Sequence, residues 1–224
     1  MNRVKKGLFF LLILEMIHAQ SGRCQSQNNP LPSIVHFSSS IIPARYIHDH
    51  NTAQIGALRH QHSHFHGMHT PGLTMAEEEM KSDFQMETLH YPGSRVYQVW
   101  AKAINVDFSY TKMDVYISSQ YGEGTCPYKV IRDHENQHVA INARTLQKYA
   151  DQMQQALMSC KTFPTKNHPW KVSSVSKARS ALKQKILGIV NPLYHRYAQE
   201  VIRANAQIDT PENYKRTQAL CQDW

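Results

Sequence analysis

From Phe84 onward, apolar and polar residues recur at the two periods that separate strands from helices. "FQMETLH" alternates with period two, and "YPGS" supplies a turn. "RVYQVWAKAINVDFSY" and "KMDVYISSQY" then carry the β-branched and aromatic residues of two strands. After "YGEGT" the period lengthens. "CPYKVIRDHENQHVAINARTLQKYADQMQQALMSC" predicts one long helix, with Thr125 as its cap and Pro127 in the first turn, where a missing N–H costs nothing. "KTFPTKNHPW" reads as a loop. A second helix is expected from about Val175 to Ala206, kinked at Pro192, with Leu182, Ile186, Ile189 and Leu193 as its apolar stripe. Thr210 then caps a last helix that begins at Pro211. Strands followed by helices predict an α+β domain: a small antiparallel sheet, then a long helix in a packed antiparallel helix pair.

The first third of the chain lacks such periodicity. Residues 1–19 read as a secretory signal peptide, with Arg3, Lys5 and Lys6 before an apolar run too short to span a bilayer and the small Ala19 at its end. Residues 20–83 are expected to be poorly ordered and hold a histidine tract, "RHQHSHFHGMH", with His60, His62, His64, His66 and His69. "MAEEEMKSDF" reads as a short helix or a charged linker. The folded domain is therefore placed at residues 84–224.

Charge and cysteines refine this picture. The net charge of +8 is concentrated between Lys161 and Lys185, which suits a solvated helix face or association with an anionic cell envelope. No aromatic-interleaved basic motif points to nucleic acid. An exported chain meets an oxidising compartment, so Cys24, Cys126, Cys160 and Cys221 are candidates for pairing. Cys126 and Cys160 stand at opposite ends of the long helix, roughly 50 Å apart at 1.5 Å per residue, so they cannot pair. Cys126–Cys221 is the expected disulfide.

The strongest chemical signal is "HENQH". His134 and His138, four residues apart, share one helix face and can converge on one ion. Glu135 is rotated off that line, so it can act on a bound water as general base without ligating. This is the H-E-x-x-H arrangement of zinc hydrolases. Ile131, Ile141 and Tyr149 lie near the histidines on the wheel and turn them inward. Arg132 departs from the usual uncharged residue at its position.

On these residues, and more weakly on "ANAQIDTPENYKRT", residues 84–224 resemble a zincin metallopeptidase domain. It is gluzincin-like and similar to small secreted bacterial zinc-dependent proteases of unknown function. The resemblance implies Zn2+ as cofactor and a peptide or protein as substrate. It does not supply the third ligand, because neither a metzincin extension nor an "NExxSD" pattern follows. If the second helix returns antiparallel with its start level with the first helix's end, Glu200 arrives opposite His134 and falls on the apolar stripe. Glu200 is thus the expected ligand, with His195 and Asp209 as alternatives. Tyr194, Tyr197 and His195 are candidates to stabilise an oxyanion, and "KMDVYIS" is a candidate edge for an extended peptide. The expected function is a secreted or periplasmic zinc peptidase. The rivals are an exported zinc-storage protein that uses the histidine tract and an inactive zincin scaffold.

Overall fold

The computed structural model describes residues 34–62, 71–222 and 224. The signal peptide (1–19), Cys24 and the side chains of the histidine tract lie outside the described residues. The elements in chain order are β1 (Val35–Ser40), β2 (Arg45–Ile47), α1 (Thr52–His62), β3 (Gly72–His90), β4 (Tyr97–Ile117), α2 (Cys126–Met158), β5 (Trp170–Val172), α3 (Val175–Ile208) and α4 (Pro211–Gln218).

The α+β class holds, and the sheet needs correction. β4 is its centre and pairs with β1, β2, β3 and β5. β5 runs antiparallel to β4 with Gln98 opposite Lys171, but β2 runs parallel to it with Tyr46 opposite Val115. The sheet is therefore mixed rather than purely antiparallel. β3 and β4 meet through Glu77 with Lys112 and Asp83 with Asn105, the register of a hairpin. Its turn closes through Ser94 N–H to the Tyr91 carbonyl, with Gly93 at φ 80°.

Three expectations fail here for a common reason. "RVYQVWAKAINVDFSY" and "KMDVYISSQY" are one continuous strand, not two. "MAEEEMKSDF" lies inside β3. β1, β2 and α1 occupy part of the stretch expected to be poorly ordered, and the boundary placed at residue 84 cuts β3. Strand propensity is largely a matter of packing and cross-strand partners. Glu77 is a strand residue because Lys112 lies opposite it, and a local pattern cannot show that.

Two compact units divide the described chain. One gathers 34–39, 80–108 and 148–196 around Ile104, Leu157, Leu182, Ile186 and Val190, all at or below 1 % exposure. The other gathers 40–79, 109–147 and 197–224. In it Val115, Ile117 and Ile131 cluster with Tyr128 and Val139, and the buried Tyr110 and Tyr197 hydroxyls hydrogen-bond at 2.5 Å. The caps read from the sequence are present: Tyr128 N–H donates to Thr125 Oγ1 at 3.4 Å, and Asn213 N–H to Thr210 Oγ1 at 3.1 Å.

α4 buries no side chain. Apolar packing therefore does little to hold it. Cys221, just beyond it, is joined to Cys126 at the start of α2, with Cα atoms 5.8 Å apart, as expected. Cys160 is a buried free thiol. Among the described residues no helix is long and apolar enough to cross a membrane. Closing a loop of this length restricts the unfolded chain strongly. Cys126→Ser should lower the unfolding free energy by about 2–5 kcal/mol. Urea unfolding of both proteins checks this, and an unchanged midpoint would contradict the role given to the bond.

Candidate metal centre

The inward face of α2 carries Pro127, Ile131, His134, His138, Ile141, Thr145 and Tyr149, spaced by three or four residues and all buried. The apolar members seat the helix, and that seating turns the two imidazoles inward. His134 is 5 % and His138 8 % exposed. Arg132 is on the outer face, so its charge does not disturb the pattern.

Opposite them stands Asp209, in the short link between α3 and α4. Its Oδ1 lies 3.2 Å from His134 Nε2 and 3.2 Å from His138 Nε2, and the two Nε2 atoms are 3.3 Å apart. A triangle with such edges is one face of a tetrahedron whose centre lies about 2.0 Å from each corner, a metal–ligand bond length. His134, His138 and Asp209 form a group that can hold a metal ion.

The partners of these groups fix what each presents to the centre. Asn205 Nδ2 donates to the Val201 carbonyl at 3.0 Å and to Asn142 Oδ1 at 2.9 Å, so its Oδ1 is left as an acceptor. That oxygen lies 2.7 Å from His138 Nδ1, which must therefore carry a proton. The neutral ring then turns the Nε2 lone pair to the centre, as a metal ligand requires. Tyr214 OH donates to Asp209 Oδ1 at 2.8 Å, and its ring lies 5.2 Å from that of His134. His134 Nδ1 is buried and lacks a hydrogen-bond partner, so its ring is oriented by packing.

Without a metal, charge is shared within this group. Burial would lower His138, but its hydrogen bond to Asp209 and the Glu135 and Asp209 charges outweigh that and raise it to about 9. Burial would raise Asp209, yet hydrogen bonds from His134, His138 and Tyr214 hold it well below the usual carboxylate range. Burial, then the Asp209 charge, pushes the Tyr214 hydroxyl up, so it stays a donor.

Glu135 is 3 % exposed and does not belong to the triangle. Thr74 Oγ1, near the start of β3, donates to its Oε2 at 2.7 Å. Gly72 backs its other oxygen so closely that a Cβ there would come within 2.6 Å of Oε1 and 2.7 Å of Ile131 Cγ2. Burial raises the carboxyl above its ordinary value, against the pull of both histidines and Thr74. Glu135, His138, Asp209 and Tyr214 line one cavity of about 160 Å³.

Of the expected residues, His134, Glu135 and His138 come together and Glu200 does not join them. Level helix ends were assumed, whereas His138 faces Asn205 and His134 faces Asp209. The buried stripe of α3 also runs through Leu182, Ile186, Val190, Leu193 and Tyr197, so drawing it through Ile189 rotated the face toward Glu200. His195 is exposed. The third donor is Asp209, one of the two alternatives. The oxyanion candidates fail as well: Tyr197 is buried on Tyr110, and Tyr194 packs against Phe108. Tyr214 is the tyrosine that lines the cavity, and "TPENYKRT", a capped helix beginning two residues past an aspartate, was its available signal. "KMDVYIS" lies in the central strand rather than at an edge. The strand that lines the cavity is β3, through Gly72, Leu73 and Thr74.

No family model, curated protein or solved structure matches the chain.

Removing the lock on His138 should weaken metal binding without unfolding the protein. Asn205→Leu is expected to lose about 10–100-fold in metal affinity, and Asp209→Ala more, whereas Glu200→Ala stays near wild type. Competition with a chromogenic chelator measures all three. Because the raised His138 holds a proton that the ion must displace, apparent affinity should climb from pH 6.5 to about 9 and then flatten with respect to this group.

Proposed function

We propose that the chain is an exported zinc-dependent hydrolase that cleaves peptide bonds. The observation that carries this is Glu135: a buried carboxyl, outside the ligand triangle, sharing a cavity with His138 and Asp209. Metal storage has no use for such a group. Two imidazole nitrogens and one carboxylate oxygen suit zinc, and their spacing fits its bond lengths. The Cys126–Cys221 bond is compatible with an oxidising compartment outside the cytosol.

When bound, zinc would polarise the scissile carbonyl and acidify a water. The chain's own groups do the rest. His134, His138 and Asp209 bind the ion, and Asn205 and Tyr214 orient two of them. Glu135, ionised, takes the proton of the attacking water and later delivers it to the leaving amine. Thr74 ties down Oε2, so Oε1 is the atom that carries the proton. Tyr214, held protonated, gives its single hydroxyl proton to Asp209 and so positions that ligand. Gly72, Leu73 and Thr74 of β3 line the cavity, so this is the strand beside which an extended peptide would lie.

Glu135→Gln should cut peptide hydrolysis by about 10²–10⁴-fold while zinc content stays at one ion per centre. Loss of zinc instead would make Glu135 a structural residue. Since Glu135 must be ionised and burial has already raised it, the acid limb of kcat/KM should lie above the ordinary carboxylate range. Thr74→Val removes a hydrogen bond that favours the ionised form, so that limb should move to higher pH. A limb that stays in place or moves down would contradict the assignment. Gly72→Ala crowds Glu135 and Ile131 and should lower kcat with zinc affinity unchanged.

A further inference from the structure

Asn142 lies one turn beyond His138 on α2 and lines the same cavity as Glu135, His138 and Asp209. It is 5 % exposed. Asparagine is a poor helix former and its amide is costly to bury unpaired, so its place here answers to what it binds. One end of that amide is accounted for. Asn205 Nδ2 donates to Asn142 Oδ1 at 2.9 Å. The same Nδ2 donates to the Val201 carbonyl at 3.0 Å, which fixes Asn205 as the donor of the pair and Asn142 as the acceptor. The other end of Asn142 is therefore Nδ2, with two hydrogens to give and no lone pair to offer. Among the described residues, Asn205 is the hydrogen-bond partner of the Asn142 side chain, and none accepts from its Nδ2. Holding Asn205 needs only an acceptor. The two donors are what an amide adds.

Their position suits a peptide. Helix rise puts Asn142 about 6 Å beyond His138 along α2. In an extended chain successive carbonyls point to opposite sides, so the next one on the side of the scissile carbonyl lies two residues along, about 6.5 Å away. We propose that Asn142 is a substrate-binding residue whose Nδ2 donates to the main-chain carbonyl two residues from the scissile one. That oxygen belongs to every peptide, so the contact sets the register of the chain in the cavity and not a side-chain preference. The inference rests on the hydrolase reading for its reaction, but its test is a binding measurement.

Two ligands that grip zinc through a hydroxamate fix this register on opposite sides of the ion: N-acetyl-alanyl-alanine hydroxamate, and alanine amide carrying a malonyl hydroxamate on its nitrogen. In each, the carbonyl two residues along is compared with its thioamide, whose sulfur is the weaker acceptor. Calorimetry on the full chain loaded with zinc measures all four. On one side the thioamide should bind about 2–10-fold more weakly than its parent. In Asn142→Ala and in Asn142→Asp, which keeps the acceptor for Asn205 but lacks the donors, that difference should vanish. Zinc affinity should be unchanged in Asn142→Ala, because Val201 still holds Asn205. Equal binding of both thioamides and their parents, a difference that survives in both variants, or failure of both hydroxamates to bind would overturn the proposal. Proteolysis of casein by the wild-type protein separates the two readings. Cleavage without the thioamide effect leaves the hydrolase standing without this contact. The thioamide effect without cleavage leaves the contact without the hydrolase.

Discussion

Three electron-rich atoms, two on α2 and one in the link between α3 and α4, are held within 3.3 Å of one another in a largely buried place. Among the described residues, these are the ones grouped so that they could hold a metal ion. Two protonated imidazoles at that separation would repel by on the order of 5 kcal/mol at an effective dielectric near 20. Two neutral ones and a carboxylate present three lone pairs to a single point. Either a shared proton or a metal ion has to lie between them, and Asp209 and Glu135 beside His138 raise it, which favours the proton in that role when no metal is bound.

Each neighbouring element supports this constraint. α2 fixes both imidazoles through the residues that bury its inward face. The link after α3 brings Asp209, and the capped start of α4 brings Tyr214 onto it. α4 has no buried side chain, so the covalent bond to the start of α2 replaces the apolar packing it lacks. β3 supplies the remaining wall. A glycine and a threonine there make room for a buried carboxyl and satisfy it. The ligands are thus held by structure, and the acid beside them is held separately, which lets metal binding and proton transfer be altered independently.

Much of this was legible in the sequence because it is local. Helix periodicity, the Thr125 and Thr210 caps, and the i, i+4 histidines depend on residues a turn apart. Helix length excluded Cys126–Cys160, and the expected Cys126–Cys221 bond is the one present. What was not legible depends on register. β1, β2 and most of β3 are strands because β4 accepts them, and Glu77 and Asp83 find their partners more than twenty residues away. The third ligand was misplaced for the same reason. Asp209 lies about 13 Å further along the helix rise than Glu200, a slip that follows from a one-residue error in the apolar stripe and an assumed alignment of helix ends.

Anomalous diffraction at the zinc edge, on crystals of the full chain with zinc added, tests the central claim most directly. The expected result is a peak bonded to His134 Nε2, His138 Nε2 and Asp209 at about 2.0–2.2 Å, with Glu135 close by and unligated. A map with zinc elsewhere and the two rings still hydrogen-bonded to Asp209 through protons would contradict it.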